Sequence, residues 1–225
     1  MRAAAAATKT IPIIAIDMES DPVANGWVAS LARPGGNVTG FFLDLPPLSG
    51  KRLEQLKEVV PGLSTVAVLW DTVMDRTPLK ATQVSARASG LRMVTLEVRG
   101  PEDFERAFRR AVKERAQAVL MWGSPMFDGN VSKIAALATR HRLPLAGFFP
   151  FHTEAGFLMS YGPDLDDIFR RSWVYADRIL KGEKPRDLPA QRPAKFHLVL
   201  NLKTAKELGI TFPQTILVQA EDRVK

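Results

Sequence analysis

TVAVLWDTVMDRTPLKATQVSARASGLRMVTLEV, residues 65–98, decides the fold. Residues 66–70 form a continuous apolar run, as expected of a strand covered on both faces. A helix follows over about 79–89 and stops at Gly90, and 93–98 reads as the next strand. The alternation then continues. Residues 101–115 are the clearest helix, with Phe104, Ala107, Phe108, Ala111 and Val112 at i, i+3, i+4, i+7 and i+8. Glu102 and Asp103 lie in its first turn, which suits the helix dipole. Strand 118–122, helix 131–141 and strand 145–149 complete the run. Strict alternation with buried strands predicts an α/β fold, with an open parallel sheet flanked by helices on both faces.

The flanks add pieces that this sheet does not need. Residues 11–16 read as a strand, and Asp21-Pro22 opens a predicted helix to about residue 32. Arg33-Pro34-Gly35-Gly36-Asn37 stops it, and 38–43 is a strand. Ser49 caps a predicted helix through Val60, with Leu53, Leu56, Val59 and Val60 on its buried side and Pro61-Gly62 at its end. Residues 157–160 are a short strand. Asp164 caps a long helix through Leu180, with Leu165, Ile168, Phe169, Ala176, Ile179 and Leu180 along one side. Residues 182–195 carry Pro185, Pro189 and Pro193 and read as an extended connection. Residues 196–200 are a last strand, and Asn201 caps a short helix to Leu208, ended by Gly209. Because 11–43 and 164–181 fall outside the complete sheet, the chain is expected to form two lobes and to cross between them.

Composition excludes several classes. The chain has 225 residues and no cysteine, so disulfides, thiolate metal sites and cysteine nucleophiles are absent. No uncharged apolar run reaches the ~18–20 residues of a membrane helix, so no direct membrane insertion is expected. Ala3–Ala7 is too short for the apolar core of an export signal and reads as the tail of an Ala-rich helix. The net charge of +7 reads as solvated basic faces, since Arg106, Arg109, Arg110, Lys113 and Arg115 lie mostly on the polar side of one helix. No nucleic-acid motif accompanies them, and no nucleic-acid partner is expected.

Open parallel sheets bind ligands at the carboxyl ends of their strands. Just past the predicted strands lie Asp17, Glu19 and Asp21, then Phe42 and Asp44, then Trp70 and Asp71, then Ser124 and Pro125, then Phe149 and Phe151, and finally Tyr161. Aromatic walls with a few oriented polar groups suit a small organic molecule, and carboxylates suit an ammonium group. These twelve residues are the candidate ligand-binding set for an amino-acid-like or cationic ligand. Asp21 serves equally well as a helix cap, and Trp70 as core. No cofactor is expected. The chain has no HExxH, GxSxG or P-loop, and Gly35-Gly36 does not make a dinucleotide fingerprint. An enzyme reading would rest on a His152/Glu154 pair or on the Asp17/Glu19/Asp21 loop, the latter also being the one acidic cluster imaginable as a metal site. A cytosolic ligand sensor is a third reading. Neither catalysis nor a bound metal is expected.

Several ordered blocks resemble a known family: Asp21-Pro22-Val23, VASLARPGGNVTG (28–40), LSGKRLEQLKEVVP (48–61), VAVLWD (66–71), LMSYGP (158–163), ILKGEKP (179–185) and NLKTAKELG (201–209). They are similar to ABC-transporter substrate-binding proteins related to those for aromatic amino acids. The resemblance implies a two-lobed type I periplasmic-binding-protein fold with open parallel sheets and an incomplete first lobe. It places 1–44 and 164–182 in lobe one, 45–163 and 196–225 in lobe two, and 183–195 in a Pro-rich hinge connection. It implies ligand capture between the lobes, delivery to the membrane permease of an ABC importer, and a periplasmic location without an export signal in this chain. Family members carry about three further β/α units before the equivalent of Thr10. Expressed by itself, the chain is therefore expected to be poorly soluble or to bind no ligand.

Overall fold

A computed structural model describes residues 1–17, 20–43 and 45–224. In chain order the elements are α1 (Arg2–Ala7), β1 (Ile13–Asp17), β2 (Val38–Phe42), α2 (Leu45–Val59), β3 (Thr65–Asp71), α3 (Thr77–Ala88) and β4 (Arg92–Val98). Next come α4 (Phe104–Lys113), β5 (Ala118–Met121), α5 (Pro125–Asp128), α6 (Val131–Arg140), β6 (Leu145–Gly147), α7 (Pro150–Glu154) and β7 (Met159–Pro163). The last are α8 (Leu165–Leu180), β8 (Phe196–Asn201), α9 (Leu202–Leu208), α10 (Gln214–Gln219) and β9 (Asp222–Val224). The chain divides into two compact units, Met1–Leu45 with Pro163–Phe196, and Pro46–Gly162 with His197–Lys225.

In the first unit β1 and β2 pair in parallel, Ala15 opposite Gly40. All five residues of β2 are buried. Ala15, Val28, Val38, Phe42 and Ala190 form the core. Residues 183–195 lie along this sheet. The Thr39 hydroxyl donates to the Leu188 carbonyl at 2.8 Å, and Phe42 N–H and the Gln191 carbonyl are 2.9 Å apart. Helix α8 packs on β1 and β2 through its buried Ile168 and Tyr175. The Tyr175 hydroxyl donates to the Pro189 carbonyl at 2.6 Å, and its ring meets Phe41 at 5.6 Å. Of the α8 stripe read along one side, Ile168 is buried, but Phe169 and Leu180 are exposed, as are Trp173 and Val174 outside it. A two-stranded sheet covers just the side of the helix that carries Ile168 and Tyr175.

The second unit is a seven-stranded sheet, in the order β4-β3-β5-β6-β7-β8-β9, among the described residues. From β4 to β7 the pairs are parallel. Every residue of β3 is buried, as its apolar run predicts. One face packs Ala67, Leu69, Leu96, Val119, Met121 and Leu145 against Phe104, Phe108, Ile134 and Leu137 of α4 and α6. By the two-residue strand period, Val68, Trp70, Leu120 and Trp122 turn to the other face, which carries α2 and α3. The chain lays β3 beside β4, then returns to place β5 on the opposite side of β3. The strand order therefore reverses between β3 and β5, the kind of position where open α/β sheets take ligands.

Two expectations are corrected. Residues 21–32 are not a helix. One turn forms, with Asn25 N–H donating to the Asp21 carbonyl, and it ends at Gly26, whose φ of 68° is left-handed. Nor does Ser49 cap α2. The helix starts at Leu45, with prolines in its first turn where no N–H is needed, and the Ser49 hydroxyl is buried against Thr82 of α3 at 3.4 Å.

Candidate functional site

In the second unit the switch point brings four adjacent strand ends together. Trp70 and Asp71 end β3, Trp122 to Pro125 follow β5, Phe148 to Phe151 follow β6, and Tyr161 lies in β7. Trp70 is buried and its indole N–H has no acceptor. Asp71 is also buried and accepts from Val73 N–H at 3.1 Å, which shapes the turn after β3. Ser124 caps α5, its hydroxyl accepting from Phe127 N–H at 3.2 Å, with Pro125 exposed in the first turn. Phe148 meets Trp122 at 5.4 Å and Phe149 edge-on at 4.7 Å, and Phe149 stacks on Phe151 at 5.7 Å. Phe151 stays 38% exposed, which leaves the end of this aromatic row accessible. The Tyr161 hydroxyl is pushed up, first by partial burial and then by Glu221 and Glu54.

In the first unit Asp17 ends β1 and accepts from Ser20 N–H at 2.8 Å. Asp21 is exposed and accepts from Val23 and Ala24 N–H at 2.9 and 3.0 Å, so its carboxylate holds a turn. Phe42, 1% exposed, belongs to the core of this unit. Glu19 and Asp44 lie outside the described residues.

Sequence reading passed over three members of the second unit's site: Arg52, Trp122 and Phe148. The Arg52 side chain is 2% exposed. Its Nη2 donates to the Met121 carbonyl at 2.7 Å and to the Gly147 carbonyl at 2.8 Å, so one nitrogen bridges the ends of β5 and β6. The guanidinium carbon lies 4.7 Å from the Trp122 ring centre and 5.2 Å from that of Phe148. Nε and Nη1 have no acceptor. Burial pushes the guanidinium down to about 9, which leaves it cationic at neutral pH. A signal was available in the sequence. Arg52 stands at i, i+4 and i+7 with Leu56 and Val59, on the buried stripe of α2.

His152 is not paired with Glu154. The ring is fully buried, and Nδ1 accepts from Phe148 N–H at 2.9 Å and Phe149 N–H at 3.1 Å. The ring proton therefore sits on Nε2, which donates to Asp128 at 2.9 Å. This N3 side chain reaches back to the start of α7 and shapes the turn that carries the aromatic row. Glu154 instead lines a groove of about 680 Å³ with Arg140, Lys203 and Glu207. Among the described residues, no group of three metal-ligating side chains occurs.

The His152 geometry has a pH consequence. Burial lowers its pKa, outweighing the Asp128 carboxylate, and Arg52 adds to the lowering. The unfolded chain, with an ordinary value near about 6.5, takes up the proton before the folded one does. The stability contributed by neutral His152 is thus complete above that value and lost as pH falls below it. Melting temperature is expected to drop between about pH 7 and 5, and to drop less in His152→Asn. Equal slopes for the two proteins would remove His152 as the cause.

Residues 2–224 match the family model for ABC transporter substrate binding proteins. A tyrosine-binding protein of Clostridioides difficile is 24% identical over 213 residues, covering 93% of this chain and 60% of that protein. This chain therefore spans less than two thirds of that relative. A conserved domain protein from Vibrio cholerae has a solved structure that matches with a TM-score of 0.86 and 26% identity, over 99% of this chain and 74% of that one. A Streptococcus pneumoniae structure, solved in complex with L-Trp, matches with a TM-score of 0.86 and 26% identity, over 98% of this chain and 74% of that one. The fold is the type I periplasmic-binding-protein fold of these neighbours.

Proposed function

This chain belongs to the ABC transporter substrate-binding protein family, and from that premise we propose that it captures an amino-acid-like, aromatic ligand and delivers it to the permease of an ABC importer. The carrying observation is the row of aromatic strand ends at the switch point of the second unit: Trp70, Trp122, Phe148, Phe149, Phe151 and Tyr161. Of these rings, Phe149, Phe151 and Tyr161 are not buried and offer rigid contact area for an indole or phenol ring, while Trp70, Trp122 and Phe148 are buried. Asp71 and Ser124 supply polar groups beside them. The relatives named for tyrosine and solved with L-Trp support this ligand class. The protein works outside the cytoplasmic membrane and carries out no chemical conversion. His152 supports the latter point, because Nδ1 is taken up by the α7 turn and Nε2 by Asp128 of α5.

Calorimetry and thermal shift against the twenty amino acids test the reading. They are run on this chain and on the chain joined to the part of the tyrosine-binding relative outside the matched region. Saturable binding of tryptophan, tyrosine or phenylalanine to either form, with unchanged ligand recovered afterwards, is expected. No binding of any amino acid to either form, or turnover of the ligand, would refute it.

A further inference from the structure

From the second unit we infer that Arg52 is the receptor for the carboxylate of the bound ligand. This deepens the amino-acid reading above and rests on it. A buried cation normally acquires an anionic partner, because taking it out of water without one is costly. Arg52 has none among the described residues: its two hydrogen bonds go to the neutral carbonyls of Met121 and Gly147. One Nε–H and two Nη1–H donors are left over. These donors lie at the carboxyl ends of β5 and β6, beside Trp122 and Phe148. A second buried donor without an acceptor, the Trp70 indole N–H, stands at the neighbouring end of β3, on the sheet face that carries α2.

The alternative for an arginine in this position is a latch that ties α2 to the strand ends. The two bonds from Nη2 would suffice for that, and they leave Nε and Nη1 unexplained. A carboxylate supplies acceptors and charge together, whereas a ligand lacking one leaves the cation buried and unpaired.

The test compares L-tryptophan with tryptamine, and L-tyrosine with tyramine, in the form of the protein that binds amino acids. The unmodified protein is expected to prefer the carboxylate-bearing partner by about 100-fold or more, as for truncation of one partner in a buried charge pair. In Arg52→Lys the preference should shrink at least several-fold, and in Arg52→Gln or Arg52→Met it should largely vanish. Lys51→Met, which removes an exposed neighbouring charge, should leave it unchanged. A preserved preference with a lowered melting temperature would make Arg52 a latch and overturn the inference. Should Arg52→Gln and Arg52→Met not fold, Arg52→Lys decides by the same ratio. An unmodified protein that binds no amino acid overturns the functional reading and this inference with it. That outcome is distinct from binding without carboxylate selectivity, which overturns the inference alone.

Discussion

Gly40→Ala is expected to unfold the first unit, with a loss of about 4 kcal/mol or more. Gly40 stands in the middle of β2, directly opposite Ala15, with φ at +129°. A methyl group there would lie 2.5 Å from the Ala15 nitrogen and 2.8 Å from its carbonyl carbon, and closer still to its oxygen. All three are backbone atoms of the only strand that pairs with β2 among the described residues. They cannot retreat without breaking the ladder. The Gln191 N–H that donates to the Gly40 carbonyl at 2.7 Å would be lost with it, and so would the hold of 183–195 on the sheet. For a chain of this size such a loss lowers the melting temperature by roughly 10 °C. Hydrogen exchange should become fast in peptides from 1–43 and 163–195, while those from β3 and β5 stay protected. Gly36→Ala, where the new methyl meets nothing within 4 Å, is the control and should be close to neutral. A Gly40→Ala protein melting within 2 °C of the original would contradict the close approach.

Gly162→Ala is expected to cost about 3–5 kcal/mol and to disturb the aromatic row. Its added carbon would be 3.1 Å from the Phe148 carbonyl carbon and nearer to the Phe148 oxygen. Here the conflict is close approach of two chains rather than an unusual φ. Phe148 is the residue whose N–H donates to His152 and whose ring lies against Trp122 and Arg52. Displacing its backbone should therefore move the tryptophan fluorescence spectrum and weaken ligand binding, besides lowering the melting temperature. Unchanged fluorescence together with unchanged stability would show that the β6–β7 junction has room to spare.

Both glycines sit inside blocks that carry the family resemblance, VASLARPGGNVTG and LMSYGP. The blocks were visible, but the reason for the glycine in each was not. It depends on which backbone passes opposite, and that partner is 25 residues away for Gly40 and 14 for Gly162. The helix wrongly expected over 21–32 failed for a local reason. Asp21-Pro22 is a good helix start, but Asn25-Gly26 closes the turn before a second one can form. Two features near the C-terminus went unread, α10 and β9, because six residues of mixed polarity in α10 and three in β9 give periodicity too little length to register.

The sequence by itself determined the α/β class, the parallel pairing and most strand positions, because each rests on a run of neighbours: the apolar stretch 66–70, the stripe from Phe104 to Ala111, the cap at Asp164. It also pointed to Trp70, Asp71, Ser124, Phe149 and Tyr161, since strand ends can be counted along the chain. Only the tertiary structure decided what those ends become. The sheet order places β3, β5, β6 and β7 side by side, packing turns Phe42 into core and leaves Phe151 half in solvent, and folding assigns His152 to Asp128. It also brings a buried, charged Arg52 under two strand ends that lie 69 and 95 residues further along the chain. Charge and burial at one residue are set by what the fold brings around it, and no local pattern contains that.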